Sequence, residues 1–254
     1  MRNIYLKKEI QRIIEFIRIE LSKTGFSKLI IGLSGGIDSA VTIALSIEAI
    51  GKENVMAVMM PYKSSHPDSL KHAEEFAKIL GIQYEIIDIS PIVDAYFDNY
   101  ALNADILRKG NLMARERMCI LYDLSANFQA LVAGTGNRSE LMVGYCTQYG
   151  DNACAFEPIG HLYKTEVREM ARILKIPGYI IDKQPSADLW QEQTDEDELG
   201  ITYDELDEIL YNLFDLCKTK KEMINKGFSK ENIEKVLDLN KKSEFKRSTP
   251  PMLK

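Results

Sequence analysis

Apolar residues return every three or four positions at the start of the chain, at Leu6, Ile10, Ile13, Ile14, Ile17 and Leu21, with Glu9, Glu15 and Glu20 between them. One apolar stripe on an otherwise charged cylinder predicts an amphipathic helix laid against a core. The carboxylates interrupt what a secretory signal would need, a continuous apolar stretch. The rhythm then changes. Residues 28–34 form a short, β-branched apolar run that predicts a buried strand, and after a glycine turn a helical pattern runs over 39–50 until Gly51 stops it. The alternation repeats: strand 54–61, helix 69–80 ended by Gly81, strand 83–90, helix 111–128, strand 130–137. Strands apolar throughout and separated by helices belong to parallel sheets covered on both faces. The expected fold is α/β, with a doubly wound, Rossmann-like sheet.

Past Pro158 the pattern turns helical, first over 162–176. Residues 186–200 are acidic and poor in apolar positions, which reads as a mobile loop. Helical segments resume at 202–214 and in a lysine-rich stretch, and the chain ends SEFKRSTPPMLK. No repeat or low-complexity linker divides it, so residues 1–254 are expected to form a single domain with a helical C-terminal portion.

Composition narrows the function. A 45% hydrophobic, 28% charged chain is ordinary globular protein, and no apolar run reaches the roughly eighteen residues of a transmembrane helix. The net charge of −6 argues against a nucleic-acid surface. Cys119, Cys146, Cys154 and Cys217 are scattered, without CxxC or zinc spacing, as expected of reduced thiols in a cytoplasmic protein. Three histidines are a poor inventory for imidazole chemistry, and His72, on a helical stretch, reads as structural.

The chemistry concentrates at Ser34-Gly35-Gly36-Ile37-Asp38-Ser39, between a strand and a helix. Two glycines let backbone bend sharply and approach an anion. The helix start offers unpaired N–H groups and a positive dipole end, and Ser34 and Ser39 add hydroxyl donors. Neither GxxxxGK[ST] nor GxGxxG is present. A plain glycine turn would explain Gly35 and Gly36, but not an aspartate in an anion cradle, which is costly without a cation. Asp38 therefore implies Mg²⁺ beside phosphate oxygens.

SGGIDS resembles the pyrophosphate loop of the ATP pyrophosphatases, the adenine nucleotide α-hydrolase-like superfamily. Further segments narrow the resemblance to NAD synthetases: GNLMARERM at 110–118, GTGNRSE at 134–140, GY-x-T-x-YGD at 144–151, LYKTEVREMA at 162–171, KQPSADLW at 183–190, TDEDELG at 194–200 and the terminal FKRSTPP. Seven segments in order say more than any single one. The resemblance implies amidation of deamido-NAD to NAD with ATP and free ammonia, through an acyl adenylate, releasing AMP and pyrophosphate.

By the same resemblance Gly32, Leu33, Ser34, Gly35, Gly36, Ile37, Asp38, Ser39, Thr135, Lys164 and Ser186 bind ATP, and Asp38 and Glu140 hold Mg²⁺. Lys164 meets phosphate as a point charge. Arg115, Gln148, Asp151, Ala155, Phe245 and Lys246 lie on the deamido-NAD side. Asp151, with Lys164, is a candidate for the chemistry itself, either orienting or deprotonating the ammonium. Arg115 and Arg117 are two apart and cannot share a helix face, so they do different work. The acidic 186–200 stretch resembles a lid over the adenylate, and the 111–128 helix contributes to a homodimer. Glutamine-using relatives carry an added amidase domain, for which no room precedes the pyrophosphate loop, so free ammonia is expected.

Two departures fall on the acceptor side: many relatives have lysine where Gln148 stands and aspartate where Ala155 stands. Two competing readings stay open here: a tRNA-modifying enzyme of the same superfamily, and a nucleotide-binding relative without turnover.

Overall fold

The computed structural model describes residues 2, 4–186, 188–190 and 193–253. The N-terminal stripe folds as α1 (Leu6–Thr24), burying Ile10, Ile13, Ile14, Ile17 and Leu21. Each such side chain contributes about 1.5–3 kcal/mol. The alternating region follows as β1 (Lys28–Gly32), α2 (Ile37–Ile50), β2 (Val55–Met59), α3 (Pro67–Leu80), β3 (Gln83–Ile86), α4 (Ser90–Tyr100), α5 (Ile106–Phe128) and β4 (Ala130–Val132). Beyond it come α6 (Arg138–Val143), α7 (Lys164–Ile173), α8 (Gly178–Ile181), α9 (Asp195–Leu199), α10 (Tyr203–Leu210), α11 (Lys220–Asn225) and α12 (Lys230–Lys242).

The four strands are parallel in the order β3-β2-β1-β4, with Leu29 opposite Val55 and Leu131. Side chains alternate across the sheet, so two cores form. Leu29, Ile31, Val55, Ala57 and Met59 pack with α1, α2, α3 and α7, while Ile30, Met56, Val58 and Val132 face α4 and α5. That is the doubly wound arrangement the alternation predicts. A third cluster joins α10, α11 and α12 around Tyr203, Leu206, Ile209, Met223, Ile233 and Val236.

Several boundaries differ from expectation. The strands are shorter than the apolar runs, because the residues after each strand leave the ladder to build loops at its carboxyl end. α4 was not anticipated: Val93 and Phe97 are its buried apolar pair, too short a stripe to stand out. α5 begins five residues before the expected 111, where the Asp105 carboxylate caps it by accepting the Arg108 N–H at 2.8 Å. The acidic stretch is not simply a solvated loop. Ala187, Gln191 and Glu192 lie outside the described residues, but 195–199 are helical, Thr194 accepts the Asp197 N–H at 3.1 Å, and Gln193, Asp195 and Leu199 are buried.

Candidate functional site

β1 neighbours β2 on one side and β4 on the other, so the strand order reverses at β1 and leaves a crevice at the carboxyl end of the sheet. A cleft of about 560 Å³ opens there. The β1–α2 turn forms its floor. Gly35 has φ +75°, and a Cβ on it would sit 2.2 Å from the Ser69 carbonyl oxygen, so both conformation and space demand glycine. Both serine hydroxyls are spent on the turn itself. Ser39 Oγ donates to the Gly36 carbonyl at 3.0 Å, and Ser34 Oγ accepts the Gly36 N–H at 3.2 Å. Gly36 precedes α2 without a side-chain cap, leaving the helix's positive end free for an anion.

Beside that end lies a charged cluster. Lys164, first residue of α7 and 2% exposed, donates to Asp38 Oδ2 at 2.6 Å and Glu140 Oε1 at 2.9 Å. Asn137 adds a bond to Asp38 Oδ1 at 2.9 Å and accepts the Glu140 N–H at 3.0 Å. The Lys164 nitrogen stands 5.0 Å from the centre of the Tyr203 ring, and the Tyr203 hydroxyl donates to Asp195 Oδ2 at 3.0 Å. Burial works against the lysine charge, but Asp38, Glu140 and Asp195 outweigh it and raise its pKa. For Glu140 burial is also the largest effect. Lys164 opposes it, Asp38 and Asp195 reinforce it, and the net effect is upward.

Two carboxylates thus hold one ammonium, a third acts on it from beyond contact distance, and Asp195 Oδ1 is buried without a partner among the described residues. That surplus of hard oxygen donors fits a divalent cation. Among the described residues no three acidic, cysteine or histidine groups form a ready cage. A cation would therefore be shared between one or two carboxylates and phosphate oxygens, as is usual for Mg²⁺.

Thr135 lines the cleft just past β4, in a turn packed on Glu157. A Cβ on Gly134 would lie 2.3 Å from Glu157 Oε2, which accepts the Gly136 N–H at 3.0 Å. Burial pushes Glu157 up to about 7. Asp151 opens onto the same cleft and accepts the Thr147 N–H at 2.7 Å. The Thr147 N–H and the Lys246 charge both favour its ionised form. Lys246 reaches the cleft from the C-terminal segment, its ammonium bonded to the Gly144 and Cys146 carbonyls at 2.7 Å each. Ser186 lines the cleft, its hydroxyl accepting the Asp188 N–H at 3.0 Å.

The structure therefore gathers Gly32, Leu33, Ser34, Gly36, Ile37, Asp38, Ser39, Thr135, Glu140, Asp151, Lys164, Ser186 and Lys246 around one space. Gly35, Arg115, Gln148, Ala155 and Phe245 stand outside its lining. Arg115 is exposed, with Nε donating to the Gln148 carbonyl at 3.2 Å. Its neighbour Arg117 faces the cleft, Nε bonded to the Met60 carbonyl at 2.9 Å. A helical-period stripe through Leu107, Asn111, Ala114, Arg117 and Leu121 is the signal that could have identified it. Lys183, Asn137, Glu157, Asp195 and Tyr203 were also not anticipated.

A model of the NAD synthase family matches residues 9–250. The NH(3)-dependent NAD(+) synthetase of Fusobacterium nucleatum is 49% identical over 252 residues, 99% of this chain and 97% of that protein. Among solved structures, the NMN synthetase of Francisella tularensis superposes with a TM-score of 0.88 at 31% identity, over 99% of both chains. The NH3-dependent NAD synthetase of Campylobacter jejuni, in complex with the nitrate ion, gives 0.84 at 34%, over 99% of this chain and 100% of that one. Agreement in sequence, in fold and along nearly the whole length places this chain in the NAD synthase family.

Proposed function

We propose that the protein converts deamido-NAD to NAD, using ATP and free ammonia. The observation that carries the reading is the Asp38–Lys164–Glu140 cluster beside the bare N-terminus of α2, at the switch point of the sheet. A carboxylate at neutral pH is a poor electrophile with no adequate leaving group, so it must be activated. Its oxygen attacks the α-phosphorus of ATP, the bond to the β-phosphate bridge breaks, and pyrophosphate leaves. Ammonia then attacks the acyl carbon, the acyl–phosphate bond breaks, and AMP leaves with the electron pair.

Each step brings anions together or adds charge, which fixed cations and dipoles offset. The pyrophosphate loop takes the ATP tail, and Lys164 exchanges a carboxylate for a phosphate oxygen. Asp38 and Glu140 would hold Mg²⁺, which neutralises phosphate charge when bound. Asp151 orients the ammonium and accepts a proton from it, as a carboxylate on the cleft wall can. Residues 186–200 act as the lid that keeps water from the adenylate. The chain works as one domain in this reading, since cleft residues run from Gly32 to Lys246. Two copies pair through α4 and α5, where Ile92, Tyr96, Tyr100 and Ile106 are exposed apolar surface. No helix among the described residues is long and apolar enough to cross a membrane, and the reaction belongs in the cytoplasm.

A second acceptor deserves a place in the test because the Francisella neighbour is described as an NMN synthetase. Purified chain is incubated with ATP, Mg²⁺ and ammonium, and with either deamido-NAD or nicotinic acid mononucleotide. Equimolar NAD and AMP from the dinucleotide support the proposal. Faster turnover of the mononucleotide moves the acceptor assignment to it. ATP bound without AMP from either acceptor defeats both.

A further inference from the structure

Asp207 is absent from the cleft lining, yet it fastens two of the cleft's walls. It projects from α10, is 3% exposed, and uses both carboxylate oxygens. Oδ2 accepts the Thr165 N–H at 2.9 Å, and Oδ1 accepts a hydrogen bond from the Ser139 hydroxyl. Ser139 Oγ in turn accepts the Lys164 N–H at 2.9 Å. Lys164 and Thr165 open α7, so these bonds satisfy two of the N–H groups that a helix start leaves unpaired. The partners lie 42 and 68 residues away in sequence, so this is a cap assembled by the tertiary fold.

Ser139 immediately precedes Glu140 on α6. One carboxylate therefore ties together the backbones that carry Glu140 and Lys164, the two ends of the 2.9 Å ion pair. We infer that Asp207 is a positioning residue, fixing α6 against α7 so that Lys164 and Glu140 meet Asp38 at the phosphate end of the cleft. The inference rests on the role given to Lys164 above.

The site requires a carboxylate for a simple reason. Two donors, an N–H and an O–H, point at one side chain, and only a carboxylate offers two acceptor oxygens. Asparagine has the same shape but one acceptor oxygen: it keeps the Thr165 bond, while its NH2 turns the Ser139 hydroxyl from donor to acceptor and the charge-assisted bond is lost. The anion also sits at the positive end of α7, a favourable location. A loosened joint here displaces Lys164 without altering any group that touches substrate, and about 1 Å of misplacement lowers turnover up to about a hundredfold.

The experiment is a double-mutant cycle on the full chain, reading NAD formation, with Asp207→Asn, Lys164→Gln and the double variant. Asp207→Asn is expected to lower kcat/KM for ATP about 10- to 50-fold. KM for deamido-NAD should change less than about twofold, as expected when one end of a site is disturbed. In the Lys164→Gln background the same substitution should have no further effect, because it acts through that lysine. Equal losses in both backgrounds overturn the inference and make Asp207 a general stability residue. An impaired Lys164→Gln beside a fully active Asp207→Asn also overturns it, while leaving the proposed function intact. A fully active Lys164→Gln defeats the role given to Lys164 and the inference with it. If Asp207→Asn does not fold, Ser139→Ala takes its place in the cycle, with the same outcomes and a smaller loss.

Discussion

In the function proposed above, the phosphate side and the acceptor side of the site are built on different terms. At the phosphate end the loop hydroxyls are bonded within their turn, Asp38, Asn137, Glu140 and Lys164 are bonded to one another, and the central lysine is buried. At the acceptor end Arg115, Ala155 and Phe245 are exposed, and Gln148 is half-buried with them outside the cleft lining. A group that stabilises developing charge must be in place beforehand, because reorganising it during the reaction raises the barrier. Recognition of a large flexible dinucleotide tolerates a looser surface, completed when the ligand or a second copy arrives. The departures Gln148 and Ala155 fall on that looser side, where a change of side chain disturbs little else.

The comparison breaks most visibly at the cluster. Asp38→Ala and Lys164→Ala should each lower kcat/KM by about 10²–10³ or more, measured as NAD and AMP formed together. Activity within tenfold of the parent would show that the buried charges are structural. Gly35→Ala comes next. Positive φ and the Ser69 carbonyl both oppose a side chain there, so a loss of about 2 kcal/mol or more in thermal or denaturant unfolding is expected, with weakened ATP binding.

Glu157 tests the wall between the two ends. Its pKa is raised from 4.5 to about 7 by burial, so the folded state favours the protonated form. The resulting stability is fully present below about pH 4.5 and is lost as pH rises through 7. Glu157→Gln, permanently neutral, should remove that dependence, so its stability relative to the parent improves by about 1–3 kcal/mol between pH 5 and pH 8. Parallel pH profiles of Tm for the two proteins would mean that the carboxyl is ionised throughout. The smallest effect belongs to the acceptor end. Gln148→Lys with Ala155→Asp should lower KM for deamido-NAD by less than about tenfold, in line with exposed charge pairs, and leave KM for ATP alone. A shift in the ATP value would mean that the two ends are coupled.

How much of this was legible depends on distance along the chain. The β1–α2 turn could be read because all its constraints are local: two glycines, an aspartate and a helix start within six residues. The order of strands and helices could be read from apolar rhythm. Asp207 and Asp195 could not, because each sits in a charged stretch and their burial depends on segments that pack only in the tertiary fold. Asp195 is covered where Tyr203 and Tyr145 close over it. Spacing showed that Arg115 and Arg117 differ, but only packing of α5 on the sheet determines which one faces inward. The acidic stretch looked solvated because composition counts charges without showing which of them turn inside.

The strand order has a consequence for how the molecule is made. β1 lies in the middle of the sheet, yet its neighbour β4 is encoded roughly a hundred residues later, which at typical translation speed is a delay of about 5–20 s. Throughout that interval one edge of this central strand has no pairing partner, and such edges template aggregation. Substitutions that slow α4 or α5 would lower the yield of folded protein before they touched its chemistry.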